Sequence, residues 1–309
     1  MIRFVTSRLF RAGLTVLSVM TFAFVVLRMS GDPAQVLLGP DVPQNVVQDF
    51  RDRWGLDDPI WRQYLSYLQA MMQGDFGLSM RDRSPAIELV MQRIPATLQL
   101  TIPALILQLA FGIPAGIYAA LKRGTLADRS VIVAAIIGFT VPSFVMGLLL
   151  VLIFAVTLGA LPSGGATSWQ HAILPVLTMS IGGIGVLARF SRSAMIEVMG
   201  QPYIRTASAK GVSWGNVVRN HALPNAAVPI VTIVGFMVGS LIAGAIIVET
   251  IFSWPGMGRL LIVSVTNRDL AVVQCILLLV AAVMVVSNLT VDLLYGWLDP
   301  RLRQASPAH

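Results

Sequence analysis

The chain contains a single cysteine, Cys275, and three histidines, His171, His221 and His309. One cysteine inside an apolar run excludes both a disulfide framework and a thiolate metal cluster. No G-x-x-x-x-G-K-[ST] loop occurs in the 309 residues, so the P-loop manner of cradling ATP is excluded. Charge is scarce as well. Asp, Glu, Lys and Arg make up 12% of the residues, about half the share of roughly 25% in a soluble domain. In their place, 56% of the chain is hydrophobic, and the mean hydropathy is +0.77. Such a balance implies an integral membrane protein with much of its surface against lipid.

A helix that crosses the hydrocarbon core needs roughly 20 mostly apolar residues. Runs of this kind lie at Phe10 to Leu27, Ile94 to Leu121, Ala222 to Val248 and Leu270 to Val291. Ser130 to Ala188 carries no Asp, Glu, Lys or Arg and is too long for one helix; "LPSGGATSWQH" at Leu161 to His171 divides it with Pro162, Gly164 and Gly165. The expectation is an all-α protein with six transmembrane helices. Arg3, Arg8 and Arg11 flank the first run as in a signal peptide, but its length and the lack of a small-residue cleavage site before Arg28 read as a retained anchor.

Orientation follows from the loop bases. With the N-terminus in the cytoplasm, the cytoplasmic segments collect more than half of the 22 Lys and Arg, opposed only by Asp128, Glu197 and Asp299. Both termini are therefore expected in the cytoplasm, and the net charge of +7 reflects topology without nucleic acid. The one large outer segment, between the first two helices, carries Trp61, Tyr64, Leu65 and Leu68 at helical spacing. It reads either as a lid on the bundle or as a docking surface for an external partner.

The histidines fall on both sides of this topology, with His171 outside, so no Ser-His pair or metal cluster forms from them. Ionisable groups in the membrane raise a functional question by default. Asp292, one turn beyond Asn288 near the cytoplasmic end of the last span, reads as a pairing or capping group or as part of a pathway or gate. Glu249, at the outer end of the fifth span, reads as lining an entrance or as meeting headgroups. Pro103, Gly112, Pro114 and Gly116 in the second helix, and Gly138, Pro142 and Gly147 in the third, suit close helix packing, with a flexing gate as the alternative.

The mostly polar "YIRTASAKGVSWGNVVRNHALPN", residues 203 to 225, separates two apolar runs. Tyr203 to Lys210 can form a short helix, Gly211 can supply the left-handed residue that ends it, and Ser213 can cap a second one. That second helix would carry Trp214, Val217 and Val218 on one face, and Pro224 would limit it as the fifth span begins. A short amphipathic helix at the cytoplasmic surface results, lying on the membrane or plugging a protein groove.

This segment resembles the cytoplasmic loop of permease subunits of binding-protein-dependent ABC importers, in which Glu-Ala-Ala, three residues, Gly, nine residues, Ile, one residue and Leu-Pro follow in order. Here Arg205, Thr206 and Ala207 hold the first triplet, Gly211 follows, His221 takes the Ile position, and Leu223 and Pro224 close the pattern. "GDP" at Gly31, "GLDDPIWRQY" at Gly55, "GDFGLS" at Gly74, "VETIFSWPGMG" at Val248 and "DPRLR" at Asp299 resemble the dipeptide, oligopeptide and nickel branch of that family. The matches span nearly the whole chain.

The resemblance implies a type I importer permease fold in a bacterial inner membrane, working by alternating access. It also implies a second related permease subunit, two cytoplasmic ATPase subunits that bind ATP and Mg, and a periplasmic or lipid-anchored substrate-binding protein. The chain itself would be no enzyme and hold no cofactor. Short peptides are the expected cargo, with nickel chelates, glutathione or opines as alternatives. The resulting map has a cytoplasmic N-terminus at 1–9, a first span at 10–29 and a periplasmic loop domain at 30–93. A permease core at 94–298 contains spans at 94–121, 130–160, 172–190, 224–250 and 269–297 and a coupling loop at 191–223, before a tail at 299–309. An ion-coupled carrier would show internal repeats and midplane ionisable residues, which the sequence lacks.

Overall fold

A computed structural model describes residues 2–29, 42–54, 57–79 and 81–298, and the described residues are helical apart from turns and one isolated bridge between Leu78 and Pro85. Three helices come before the first long span: α1 (Ile2–Met29), α2 (Gln44–Trp54) and α3 (Ile60–Met72). The span α4 (Ala86–Leu121) follows, then α5 (Leu126–Thr140), α6 (Ser143–Thr157) and α7 (Trp169–Met199). The short α8 (Pro202–Ala209) leads to α9 (Trp214–Ile251), α10 (Met257–Thr266) and α11 (Leu270–Leu298).

Four of these, α4, α7, α9 and the Leu270–Ser287 part of α11, are long and apolar enough to cross a membrane, and the bent pair α5–α6 makes a fifth if counted as one span. In α1 the apolar part is shorter, Gly13–Val26. The pair α5–α6 covers the span expected at 130–160 and is bent, its two halves meeting at 100°. The cause is local: the residue before a proline is pushed out of the helical region. Val141 precedes Pro142 and has extended backbone, φ −71° and ψ 119°.

The chain forms two compact units, one of Met1–Ile94 with Leu260–Val285 and the other of Pro95–Arg259 with Val286–His309. In the first unit, Met20, Met71 and Leu278 form a small core joined by Val16, Tyr67 and Leu68. Phe24 meets the Tyr64 ring edge-on at 5.2 Å, and Thr21 Oγ1 and the Tyr64 hydroxyl share a hydrogen bond of 2.6 Å. The inward face of α3 is thus Tyr64, Tyr67, Leu68 and Met71, whereas Trp61 and Leu65, expected on the same face as Tyr64, are exposed.

In the second unit the helices approach through glycine. A methyl group at Gly116 of α4 would overlap the Ala188 carbonyl of α7, and one at Gly185 of α7 would overlap the Ala135 carbonyl of α5. Such approach substitutes backbone packing for the hydrophobic drive that lipid does not provide. Two clusters lie in this unit: one around Leu100, Leu174, Leu241 and Phe252, the other around Met195, Ile204, Val217 and Ala226.

Candidate coupling surface and membrane cavity

The polar segment is built from its ends inward. Pro202 opens α8 in the first turn, where its missing N–H costs nothing. At the other end, Gly211 N donates to Ser208 O at 3.0 Å and Val212 N to Ala207 O at 3.3 Å, the paired bonds of a Schellman turn. Gly211 stands at the left-handed position with φ +80°, which explains glycine at this point of the motif.

The two helices of the segment are held down by their own chain. Ile204 and Ala207 of α8 and Val217 and Ala222 of α9 pack with Ala194 and Met195 of α7 and Ala120 of α4. Val217 is 1% exposed, so it is not available to a partner, contrary to the expectation that Trp214, Val217 and Val218 share one outward face. Trp214 is 55% exposed and Val218 half-buried; Arg205 and Thr206 of α8 are exposed, and Leu223 is half-buried. Tyr203, 43% exposed beside Arg205, adds an outward aromatic that the motif does not include. The i, i+3 pair Ile204 and Ala207, apolar and small in a polar helix, is the sequence signal for the inward face.

Two further details differ from expectation. Ser213 occupies the cap position, but its hydroxyl makes no capping bond; the first helical bond runs from Val217 N to the Ser213 carbonyl at 2.9 Å. Nor does Pro224 end the helix. A π turn at Val218–Ala222 joins Trp214–Val217 to Leu223–Ile251, so α9 runs unbroken for 38 residues. The wider turn lies just ahead of Pro224, where proline has no N–H to give to a residue four back.

At the other end of α9, "VETIFSWPGMG" folds into a tight knot. Glu249 is 0% exposed and accepts from Thr97 Oγ1 at 2.6 Å and from Arg259 N at 3.0 Å. The Thr97 hydroxyl in turn accepts from Met257 N at 2.8 Å, and the Trp254 indole donates to the Ala96 carbonyl at 2.8 Å. A side chain at Gly256 would overlap the Glu249 carboxyl. Glu249 thus satisfies the open N–H groups at the start of α10. It has no exposed surface in this chain. Another carboxylate is also closed: Arg192 of α7 holds Asp128 of α5 in a two-point pair, Nε to Oδ1 at 2.5 Å and Nη2 to Oδ2 at 2.8 Å. The Asp292 side chain lies outside those described, although its backbone belongs to α11.

A cavity of about 340 Å³ lies in the second unit, bordered by α4, both halves of the bent pair, α7 and α9. Its lining is neutral throughout. Gln108 of α4 reaches it at the first residue of a π turn, Gln108–Gly112, and is 1% exposed. Its Nε2 donates to the Met179 carbonyl at 2.9 Å, while its Oε1 is buried without a partner. Room for the amide exists because Gly183 has no side chain; a methyl there would overlap it. Sequence reasoning passed over Gln108, whose signal is a lone amide in an apolar span.

Comparison with known proteins agrees with this architecture. Residues 112–304 match the family described as binding-protein-dependent transport system inner membrane component, and residues 1–101 match the N-terminal part described for the same systems. The glutathione transport system permease protein GsiC of Escherichia coli K12 is 43% identical over 290 residues, covering 94% of each chain, and the protein of that name from Shigella flexneri serotype 5b is equally similar. Among solved structures, the inward-facing MetNI methionine ABC transporter aligns with a TM-score of 0.55 at 19% identity, covering 68% of this chain and 96% of that one, which supports the fold. On the family match and the shared helical architecture, the chain belongs to the binding-protein-dependent transport system inner membrane components, the permease subunits of ABC importers.

Proposed function

We propose that this permease imports short peptides of the glutathione class, driven by ATP that partner subunits bind with Mg and hydrolyse. The observation that carries the substrate class is the 43% identity, over 94% of the chain, to permeases named for glutathione transport. Glutathione stood among the alternatives to short peptides as the expected cargo, so this reading moves from the main expectation to one of its alternatives, itself a small peptide. A second related permease, two ATPase subunits and an external binding protein complete the machine, with both termini of this chain in the cytoplasm.

In this reading α8 and the start of α9 form the surface that receives force from an ATPase. The exposed Tyr203, Arg205, Thr206 and Trp214 face the partner, while Ile204, Ala207 and Val217 tie the segment to α7. Gly211, Leu223 and Pro224 set the turn and the entry into the span. An aromatic anchor at an interface centre contributes about 2 kcal/mol or more. Trp214→Ala is therefore expected to weaken ATPase co-purification roughly 30-fold while the permease melts unchanged. Val217→Ala is expected to lower the melting temperature instead.

The substrate reading is tested with the assembled complex in proteoliposomes containing ATP on the ATPase side. Labelled glutathione and labelled dialanine are offered with the binding protein. ATP-dependent accumulation of either supports the peptide class, with glutathione preferred. Accumulation of a nickel chelate or an opine with no peptide uptake overturns it.

A further inference from the structure

The cavity in the second unit poses an electrostatic problem, since a peptide carries charge at its ends and the lining holds no charged side chain. Backbone can supply what side chains do not. The α6 helix begins at Ser143, directly after the 100° break, and its first backbone bond of helical type runs from Met146 N to Pro142 O at 3.0 Å. The N–H groups of Ser143, Phe144 and Val145 come before that bond and have no place in the helix's own ladder. No side chain caps them. Pro142, Ser143 and Met146 border the cavity, so the positive end of α6 borders it too.

A second group points to a ligand independently. Gln108 is buried, lines the same cavity and keeps Oε1 unpaired. An orphan acceptor away from water is destabilising, and here the arrangement is built to hold it. Nε2 is fixed on the Met179 carbonyl and Gly183 clears the space. The fixed bond at Nε2 leaves Oε1 as the free atom, an acceptor for an N–H donor. The position also opens a π turn, a distortion often found where helices carry function.

We infer that the α5–α6 break and Gln108 form a transit site for peptide termini, in which the N–H groups at the start of α6 take the carboxylate and Gln108 Oε1 takes an ammonium or amide N–H. A broken helix in lipid offers such fixed partial charge without burying an ion. A volume of about 340 Å³ is within the range of small-molecule pockets. The inference rests on the peptide reading above for the identity of its ligand, but not for its preference for anions.

The test uses the assembled complex with Ser143→Cys in a Cys275→Ser background. The rates at which an anionic (sulfonatoethyl) and a cationic (trimethylammonioethyl) methanethiosulfonate label Cys-substituted position 143 are each divided by their rates with a small free thiol. The anionic reagent should be favoured several-fold. S-methylglutathione, which has no thiol, and dialanine should slow the labelling, whereas dialanine amide should not. Equal or cation-favouring rates, equal protection by the amide, or no labelling at all would overturn the site. A second variant guards against misfolding at position 143. Gln108→Met should raise the KM for peptide uptake about tenfold, the worth of one hydrogen bond to a charged group; an unchanged KM would count against the site. If the wild-type complex moves no peptide while the anion preference and carboxylate protection hold, the substrate reading falls and the site stands. The reverse pattern removes the site and leaves the substrate reading intact.

Discussion

Glu249 and Gln108 are both polar, both fully buried in the second unit and both inside apolar spans, yet their surroundings differ in kind. Around Glu249 a hydroxyl and a backbone N–H converge, glycine at 256 makes room, and the carboxyl ties α9 to the start of α10. Around Gln108, a residue that lines the cavity, one bond is made and one buried acceptor is left without a partner. The first is a group the fold needs; the second is a group the fold tolerates. Burial alone does not separate structural from functional polarity in a membrane protein, but the count of satisfied atoms does.

The contrast can be broken most sharply at Glu249. Glu249→Ala leaves the Thr97 hydroxyl and the Arg259 N–H without their acceptor, and each orphaned donor costs about 1–3 kcal/mol. A severe loss of folded, detergent-extractable protein is expected, measured by fluorescence-detected size exclusion and thermal melting. A variant that extracts and melts like the wild type would show that the knot is not what holds α10.

Gly183→Ala should have an intermediate effect, because its methyl lands on the Gln108 amide and overpacking costs about 1–3 kcal/mol. The double variant with Gln108→Ala should recover most of that loss, and the non-additivity in melting measures the clash. Additive losses would mean that Gly183 is glycine for another reason.

The smallest change is expected from Gln108→Met, a swap of similar shape. It removes an unsatisfied acceptor together with one donor, so stability should move by less than about 1 kcal/mol. A melting loss as large as that of Glu249→Ala would erase the distinction between the two groups.

The helices as helices were legible in the sequence, because lipid enforces length and apolarity and leaves few alternatives. The left-handed Gly211 was legible too, since a polar helix followed by glycine has one economical ending. The division between Trp214 and Val217 was not. Both lie in the regular turn Trp214–Val217, and an apolar pattern along one helix does not say that α7 packs against Val217 and leaves Trp214 uncovered. The same limit hid the 100° break at Pro142, for a proline in a span can be absorbed or can redirect the chain. Pro103 and Pro229 lie inside continuous helices. Glu249 was legible as unusual, but its partners Thr97, Met257 and Arg259 are separated from it in sequence, and only folding brings them together.

The π turn in α9 also sets a phase relation. Each residue advances a regular helix by about 100°, so the wide turn at Val218–Ala222 fixes the angular offset between the Trp214 side and the membrane side of one continuous rod. Tightening that turn to regular geometry with every residue kept, as a conformational switch would, would rotate one end against the other by about 100°, whereas deleting one residue together with the wide turn would leave the two ends in phase. What the loop presents to the outside and what the span presents to its neighbours are therefore keyed together, like two cams on one shaft.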